Sequence, residues 1–284
     1  MTVHRPAPAT APLTIDGATR LFAIIGDPIS AVRSPQYFNA RFAERGLNAV
    51  MVPLHVRAED LATAWAGLSR MRNLHGLVIT MPHKVAACRF VDHLEETARI
   101  VGSINAARRD ADGRWVGDMF DGRGCVMGLL KQGHEVAGRR AFLLGLGGAG
   151  MAIAAALAEA SVAELVVHDL DTGKRDAAIA RIAQAYPRTS IRPGNLEGNA
   201  FDFAINATPL GMKPADPLPF DPTRLPRSTV VVDVIPNPEI TPLLERALAR
   251  GHAVQTGRHM HEGQAIGVAG FFGIDLGASP DGRV

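Results

Sequence analysis

The sequence predicts an α/β protein of two units, each built by strand-helix alternation, the second doubly wound. Three observations carry that prediction. At 284 residues the chain exceeds the roughly 100–200 residues of a usual domain. Short apolar, β-branched runs alternate with segments of helical periodicity, the pattern of a mostly parallel sheet covered on both faces. A glycine-rich loop falls directly between one such run and an Ala-rich helical segment.

The first run, residues 21–25, is apolar and is stopped by Gly26-Asp27-Pro28, which reads as a buried strand and a loop. Ser34-Pro35 opens a helix, since the N–H that proline lacks would have no partner in the first turn, and Tyr37, Phe38 and Phe42 follow at helical spacing. Residues 49–54 read as the next strand, 58–69 as a helix, and 76–80 as a β-branched strand halted by Met81-Pro82. A helix is expected over 84–90. The second unit starts near Gly122 with a helix through 130, a strand at 140–144, the glycine loop and a helix at 150–160. Strands at 164–168, 203–206 and 230–234 continue its sheet. A last helix, 259–272, carries a small-residue run and is expected to pack back on the first unit. The Ala-, Pro- and Thr-rich stretch 1–12 reads as a loose tail.

A composition 47% hydrophobic and 20% charged is that of a globular chain. A formal net charge of +2 gives no basic face for nucleic acid or an anionic membrane. Two cysteines, Cys88 and Cys125, without Cys-x-x-Cys spacing, suit a reducing, cytoplasmic setting and argue against a disulfide framework or a zinc site. His259 and His261 stand two apart, but no His-x-x-x-His with an acid is present, so no metal is expected. No run of about 18 apolar residues exists to span a membrane, and residues 1–12 lack the pattern of a leader. Monomer and homodimer both stay open.

Gly145-Leu146-Gly147-Gly148-Ala149-Gly150 satisfies G-x-G-x-x-G between a strand and a helix. The first glycine permits the tight turn, the second lets backbone approach a pyrophosphate, and the third allows close helix-strand packing. Free N–H groups at the helix start favour the anion. This is the Rossmann pattern, and it implies a dinucleotide. Asp169 closes the next strand about 19 residues on, where a carboxylate accepts bonds from an unphosphorylated ribose and repels a 2′-phosphate. NAD is therefore expected, with NADP kept open by Lys174 and Arg175. A second reading of Asp169 is a cap for the turn at Asp171-Thr172-Gly173.

Several separated motifs together resemble the shikimate dehydrogenase family. They are Ile25-Gly26-Asp27-Pro28-Ile29 with Ser34-Pro35; Thr80-Met81-Pro82-His83-Lys84; Gly102-Ser103-Ile104-Asn105; Gly117-Asp118 with Asp121-Gly122; the glycine loop; Asn206-Ala207-Thr208-Pro209-Leu210-Gly211-Met212; Pro236 with Thr241-Pro242; and Gly257, Met260 and Gln264-Ala265. The resemblance implies a substrate-binding catalytic domain over 1–121, completed by 258–284, and a Rossmann domain over 122–257. It implies hydride transfer between NAD(P) and a shikimate- or quinate-like alicyclic hydroxy acid, with Lys84 and Asp121 as the catalytic pair. Ser34, Thr80, Asn105 and Gln264 match substrate contacts. Asn206, Thr208, Met212 and Gly257 join Gly145, Gly147, Gly148, Ala149, Gly150 and Asp169 on the cofactor side. Lysine suits the role because it exchanges a hydroxyl proton when its pKa is drawn toward neutrality. Taken alone, Lys84 would read as a solvated lysine at a helix start and Asp121 as a cap for the following helix. A non-catalytic dinucleotide-sensing protein on the same fold is the alternative, since folds outlive chemistry.

The chain departs from the family where the substrate binds. Polar positions become Val32, Val78, Met119, Phe120 and Ile235. Each hydrogen bond lost to a buried ligand group costs about 1–3 kcal/mol, so an altered substrate is expected. Arg33 or Ser30 is the candidate replacement contact for a carboxylate; Arg33 suits it because its planar fork can bind both oxygens.

Overall fold

The computed structural model describes residues 14–30, 32–197 and 200–275; the tail expected over 1–12 lies outside them. The first half runs β1 (Arg20–Gly26), α1 (Ser34–Glu44), β2 (Ala49–His55), α2 (Leu61–Leu68), β3 (Leu74–Ile79), β4 (His93–Leu94), α3 (Glu96–Val101), β5 (Ala106–Arg109) and β6 (Trp115–Asp118). These strands form one sheet in the order β2-β1-β3-β5-β6-β4. β1 pairs in parallel with both β2 and β3, the arrangement that crossover helices permit. β5 is antiparallel to β3 and to β6 while the other pairings are parallel, so this sheet is mostly parallel, as expected, with one antiparallel strand inside it. The β5–β6 hairpin turns on Asp110, whose carboxylate accepts bonds from the N–H groups of Asp112 and Arg114.

The second half runs α4 (Asp121–Lys131), β7 (Arg140–Leu144), α5 (Gly148–Glu159), β8 (Glu164–His168), α6 (Thr172–Ala185), β9 (Ser190–Pro193), β10 (Phe203–Asn206), β11 (Val230–Asp233), α7 (Pro242–Ala249), β12 (Val254–Gln255) and α8 (Gly257–Phe271). Its strands lie in the order β12-β11-β10-β7-β8-β9 and every pairing is parallel. This is the doubly wound order, whose ligand crevice opens at the carboxyl ends of β7 and β10, where the winding reverses.

Two cores follow. Around the second sheet, the Ala-rich face of α5 packs with Leu143, Val167 and Ile205. Around the first, Phe22, Phe38 and Phe42 pack with Ala265, Val268 and Ala269 of α8, so the last helix returns to the first sheet. α4 lies between α5 and α8. A Cβ on Gly124 would stand 2.5 Å from the carbonyl oxygen of Met260, so only glycine allows α8 to come that close.

Candidate active site

Lys84 and Asp121 meet. Lys84 Nζ donates to Asp121 Oδ2 at 2.5 Å, across 37 residues of chain. Asp121 is the first residue of α4 and buried, its side chain 2% exposed against 19% for Lys84, so the pair opens toward solvent on the lysine side. The expected helix over 84–90 is not formed. Lys84 lies in a turn that follows a cis Met81-Pro82 bond, and only Ala86–Arg89 winds as a 3₁₀ stretch. A lysine at a helix start would face the positive end of the helix dipole, and without a helix here Lys84 carries no such penalty. Asp121 does not cap α4 either; its carboxylate is engaged elsewhere.

Asn105 is the third member. Its carbonyl accepts from Ile79 N–H at 2.8 Å and its own N–H donates to Asp118 at 3.0 Å, which clamps it between the ends of β3 and β6. The side-chain amide then donates to Asp121 Oδ1 at 2.7 Å and accepts from Phe120 N–H at 2.9 Å. Each carboxylate oxygen of Asp121 thus has a donor, one charged and one neutral. Thr80 closes the end of β3, its N–H bonded to Ile25 and its methyl against Gly26. Ser34 is buried at the start of α1, while Arg33 is exposed. Gln264, half-buried on α8, lies beside His261, which also feels the charges of Asp121 and Arg33. Asp121 on α4, Arg33 ahead of α1 and Gln264 on α8 therefore lie around His261, considered from sequence only as a metal candidate.

The apolar replacements divide. Val78 and Phe120, with Val32 packed against them, share the cluster of the first sheet. Met119 faces the other core beside Leu143 and Met151, so its expected place in the substrate pocket is corrected: successive residues at the end of a strand point to opposite faces. Ile235 is buried, its backbone pressed against Gly257, where a Cβ would stand 2.4 Å from the Ile235 oxygen.

At the second sheet, β7 runs into Gly145, held at φ +92°, and α5 begins at Gly148 without any side-chain cap. A Cβ on Gly150 would lie 2.0 Å from the Gly145 oxygen, whereas one on Gly147 would meet nothing within 4 Å. Gly147 thus faces open space in front of uncapped helix N–H groups, the cradle a pyrophosphate requires. Ala149 is half-buried in the first turn. Ser103, two residues before Asn105, presses the same loop: its hydroxyl is buried with no partner, 3.8 Å from where a Gly148 Cβ would stand. The residues present fit a bound dinucleotide, and the loop that carries Ser103 and Asn105 abuts its cradle.

Asp169 stands just beyond β8 and accepts from Leu146 N–H at 2.7 Å and Asp171 N–H at 3.0 Å. Burial opposes its ionisation, but these two bonds, aided by Lys174 and His168, outweigh burial and hold the carboxyl below the usual range. The cap of α6 is Asp171, which accepts from Lys174 N–H. Arg175 is committed to Asp176 at 2.8 Å. Asn206 is fully buried and bonds Leu210, Asp233 and Thr208. All four of its hydrogen-bonding positions are used inside the protein, so the expected direct cofactor contact is corrected to placing Thr208 beside Gly145. Met212 is exposed past that turn.

A shikimate dehydrogenase (NADP(+)) from Rubrobacter xylanophilus is 39% identical over 251 residues, 87% of this chain and 88% of that one. The chain belongs to the shikimate dehydrogenase family. Within that family of oxidoreductases, the shikimate dehydrogenase substrate binding domain is matched over residues 24–107. Among solved structures, the chain is similar to a 5-ketofructose reductase of Gluconobacter sp. strain CHM43, with TM-score 0.81, 30% identity, and 89% of this chain and 92% of that one covered. It is likewise similar to the quinate dehydrogenase of Corynebacterium glutamicum in complex with NAD, with TM-score 0.79, 31% identity and coverage of 89% and 93%. Among the described residues no helix is long and apolar enough to cross a membrane.

Proposed function

We propose that this shikimate-type oxidoreductase interconverts a secondary alcohol and a ketone on a small alicyclic hydroxy acid, less polar than shikimate, with NAD as its favoured dinucleotide. The observation that carries the reading is the Lys84–Asp121–Asn105 cluster beside the glycine loop. Residues 1–121 with 258–284 then hold the substrate, and residues 122–257 hold the dinucleotide.

The bound dinucleotide supplies the hydride acceptor or donor. Lys84 does the proton work: as the carbinol carbon loses hydride and C=O forms, the neutral amine takes the hydroxyl proton, and in reduction the ammonium returns it. Asp121 holds the lysine by a charge-assisted bond, and Asn105 holds Asp121. Gln264, Thr80 and Ser34 bond the remaining hydroxyls. Arg33, exposed at the head of α1, takes the ring carboxylate. The apolar wall of Val32, Val78 and Phe120 offers no hydrogen bonds, which disfavours a densely hydroxylated ring. The Gluconobacter reductase supports the view that this fold serves ketones other than the shikimate pair.

The NAD preference rests on Asp169. Its carboxylate lies at the tip of β8, Leu170 after it is 94% exposed and uncharged, and Arg175 is paired with Asp176. Of the two cations that could meet a 2′-phosphate, Arg175 is paired with Asp176 and Lys174 already acts on the Asp169 carboxylate, so the phosphate would meet an anion first. Two relatives point in different directions, since the Rubrobacter enzyme is named for NADP(+) and the Corynebacterium one holds NAD.

Turnover of shikimate, quinate and a panel of hydroxylated cyclohexane and cyclohexene acids, each with NAD and NADP, tests all three elements. Lys84→Ala is expected to lower turnover by ~10²–10⁴-fold while dinucleotide binding persists. Unchanged turnover in that variant removes the mechanism. High activity on shikimate itself removes the altered pocket, and a preference for NADP removes the role of Asp169.

A further inference from the structure

The face of α8 that covers the first sheet begins with His261, which interacts with the Gln264 side chain but leaves one ring nitrogen without a partner. His261 stands one turn before Ala265 and two before Val268, both buried in the apolar cluster that contains Val78 and Phe120. Its Nε2 is buried and without a partner. The groups around the ring come from three elements: Asp121 on α4, Arg33 ahead of α1, and Gln264 and Glu262 on α8. A buried polar atom left unsatisfied needs a reason, and the fold does not give one. The α4–α8 crossing is made by Gly124 and Gly263, and the cap of α8 is made by His259 with Thr256.

We propose that His261 is a specificity-determining residue that hydrogen-bonds a substrate hydroxyl through Nε2, in place of the polar contacts that Val32, Val78 and Phe120 do not make. This rests on the dehydrogenase reading above. Its position supports the role: the ring lies next to Gln264 and within reach of the charge on Asp121, at the polar end of an otherwise apolar wall. Burial lowers the imidazole pKa while Asp121 and Gln264 raise it, and burial prevails. The ring is then neutral near pH 7, carrying one donor and one acceptor. A neutral ring suits a hydroxyl and leaves a carboxylate to Arg33.

The test compares wild type, His261→Leu and His261→Gln in steady-state turnover with shikimate, quinate and analogues of each lacking a single non-reacting hydroxyl. For the substrate turned over best, His261→Leu is expected to raise KM ~10–100-fold with kcat within about threefold, the signature of lost ground-state binding. NADH affinity and the melting temperature are expected to stay at wild-type values. His261→Gln, which keeps a donor and an acceptor, is expected to recover most of the loss. The penalty is expected to vanish for the one analogue that lacks the contacted hydroxyl. An unchanged KM in His261→Leu, or an equal penalty on every analogue, overturns the assignment. A wild-type protein that binds NADH yet turns over none of these compounds overturns the dehydrogenase reading instead, and this inference with it.

Discussion

Asn105 decides where the Asp121 carboxylate points. Its amide joins the Asp121 oxygen to the Phe120 N–H, and its backbone is bonded into two strands, so the group holding this carboxylate is itself rigid. Asn105→Ala leaves a buried N–H and one carboxylate oxygen without partners. The expected cost is about 1–3 kcal/mol of stability, read by urea unfolding. A fall in kcat of ~10-fold or more is expected to accompany it, because small displacements of a reacting group are expensive. Wild-type kcat in a folded Asn105→Ala protein would show that Asp121 is held without it. Cys125, one turn along α4, is no alternative nucleophile: burial pushes its thiol up to about 12, which keeps it protonated and inert.

The β7–loop–α5 element separates two uses of glycine that its sequence does not distinguish. Gly150 is required by the fold, since its Cβ would strike the Gly145 oxygen at 2.0 Å, while Gly147 has open space before it. Gly150→Ala is expected to lower the melting temperature by several degrees, and Gly147→Ala to leave it unchanged while weakening NAD binding at least ~10-fold, because the methyl takes the place of a phosphate. Calorimetry on both variants checks this, and equal effects on melting would refute it. β8 and β10 are legible in the sequence to the residue, because strands buried on both faces read as continuous apolar runs. The β5–β6 hairpin is not, as Ala106 to Arg109 and Trp115 to Asp118 carry too few apolar residues to stand out from a loop. The stretch after Pro82 misleads for the opposite reason: Val85, Ala86 and Ala87 suit a helix in composition, but the chain must deliver Lys84 to Asp121 and winds only as 3₁₀. The pairing itself is legible only through the family's motifs. Spacing alone cannot show that Asn105 bonds Asp121 or that Met119 turns away, since both depend on strand pairing between distant segments.

At the scale of the whole molecule, α4 carries Asp121 between the two sheets, and backbone contacts on both sides hold it. Gly122 admits the Ala152 carbonyl of α5 and Gly124 admits α8, so the carboxylate is placed by both halves together. The nucleotide half has its own buried acid. Asp233, at the end of β11, accepts from Thr241 Oγ1 at 2.7 Å, from Asn206 Nδ2 at 3.1 Å and from Ile235 N–H at 3.2 Å. Burial nonetheless pushes its carboxyl from 3.8 up to about 6. A folded-state pKa above the unfolded one means that the folded protein binds the proton more tightly. The stabilisation is then full below about pH 4 and is lost as pH rises through about 6, amounting to roughly 3 kcal/mol at 1.36 kcal/mol per pKa unit. Asp233→Asn removes the titration. Whatever its fixed cost in hydrogen bonds, its stability relative to wild type is expected to rise by roughly 2 kcal/mol between pH 4 and pH 7, measured as the difference between paired urea unfolding curves. Because other groups titrate equally in both proteins, a pH-independent difference would mean that Asp233 is ionised throughout and that its three donors outweigh its burial.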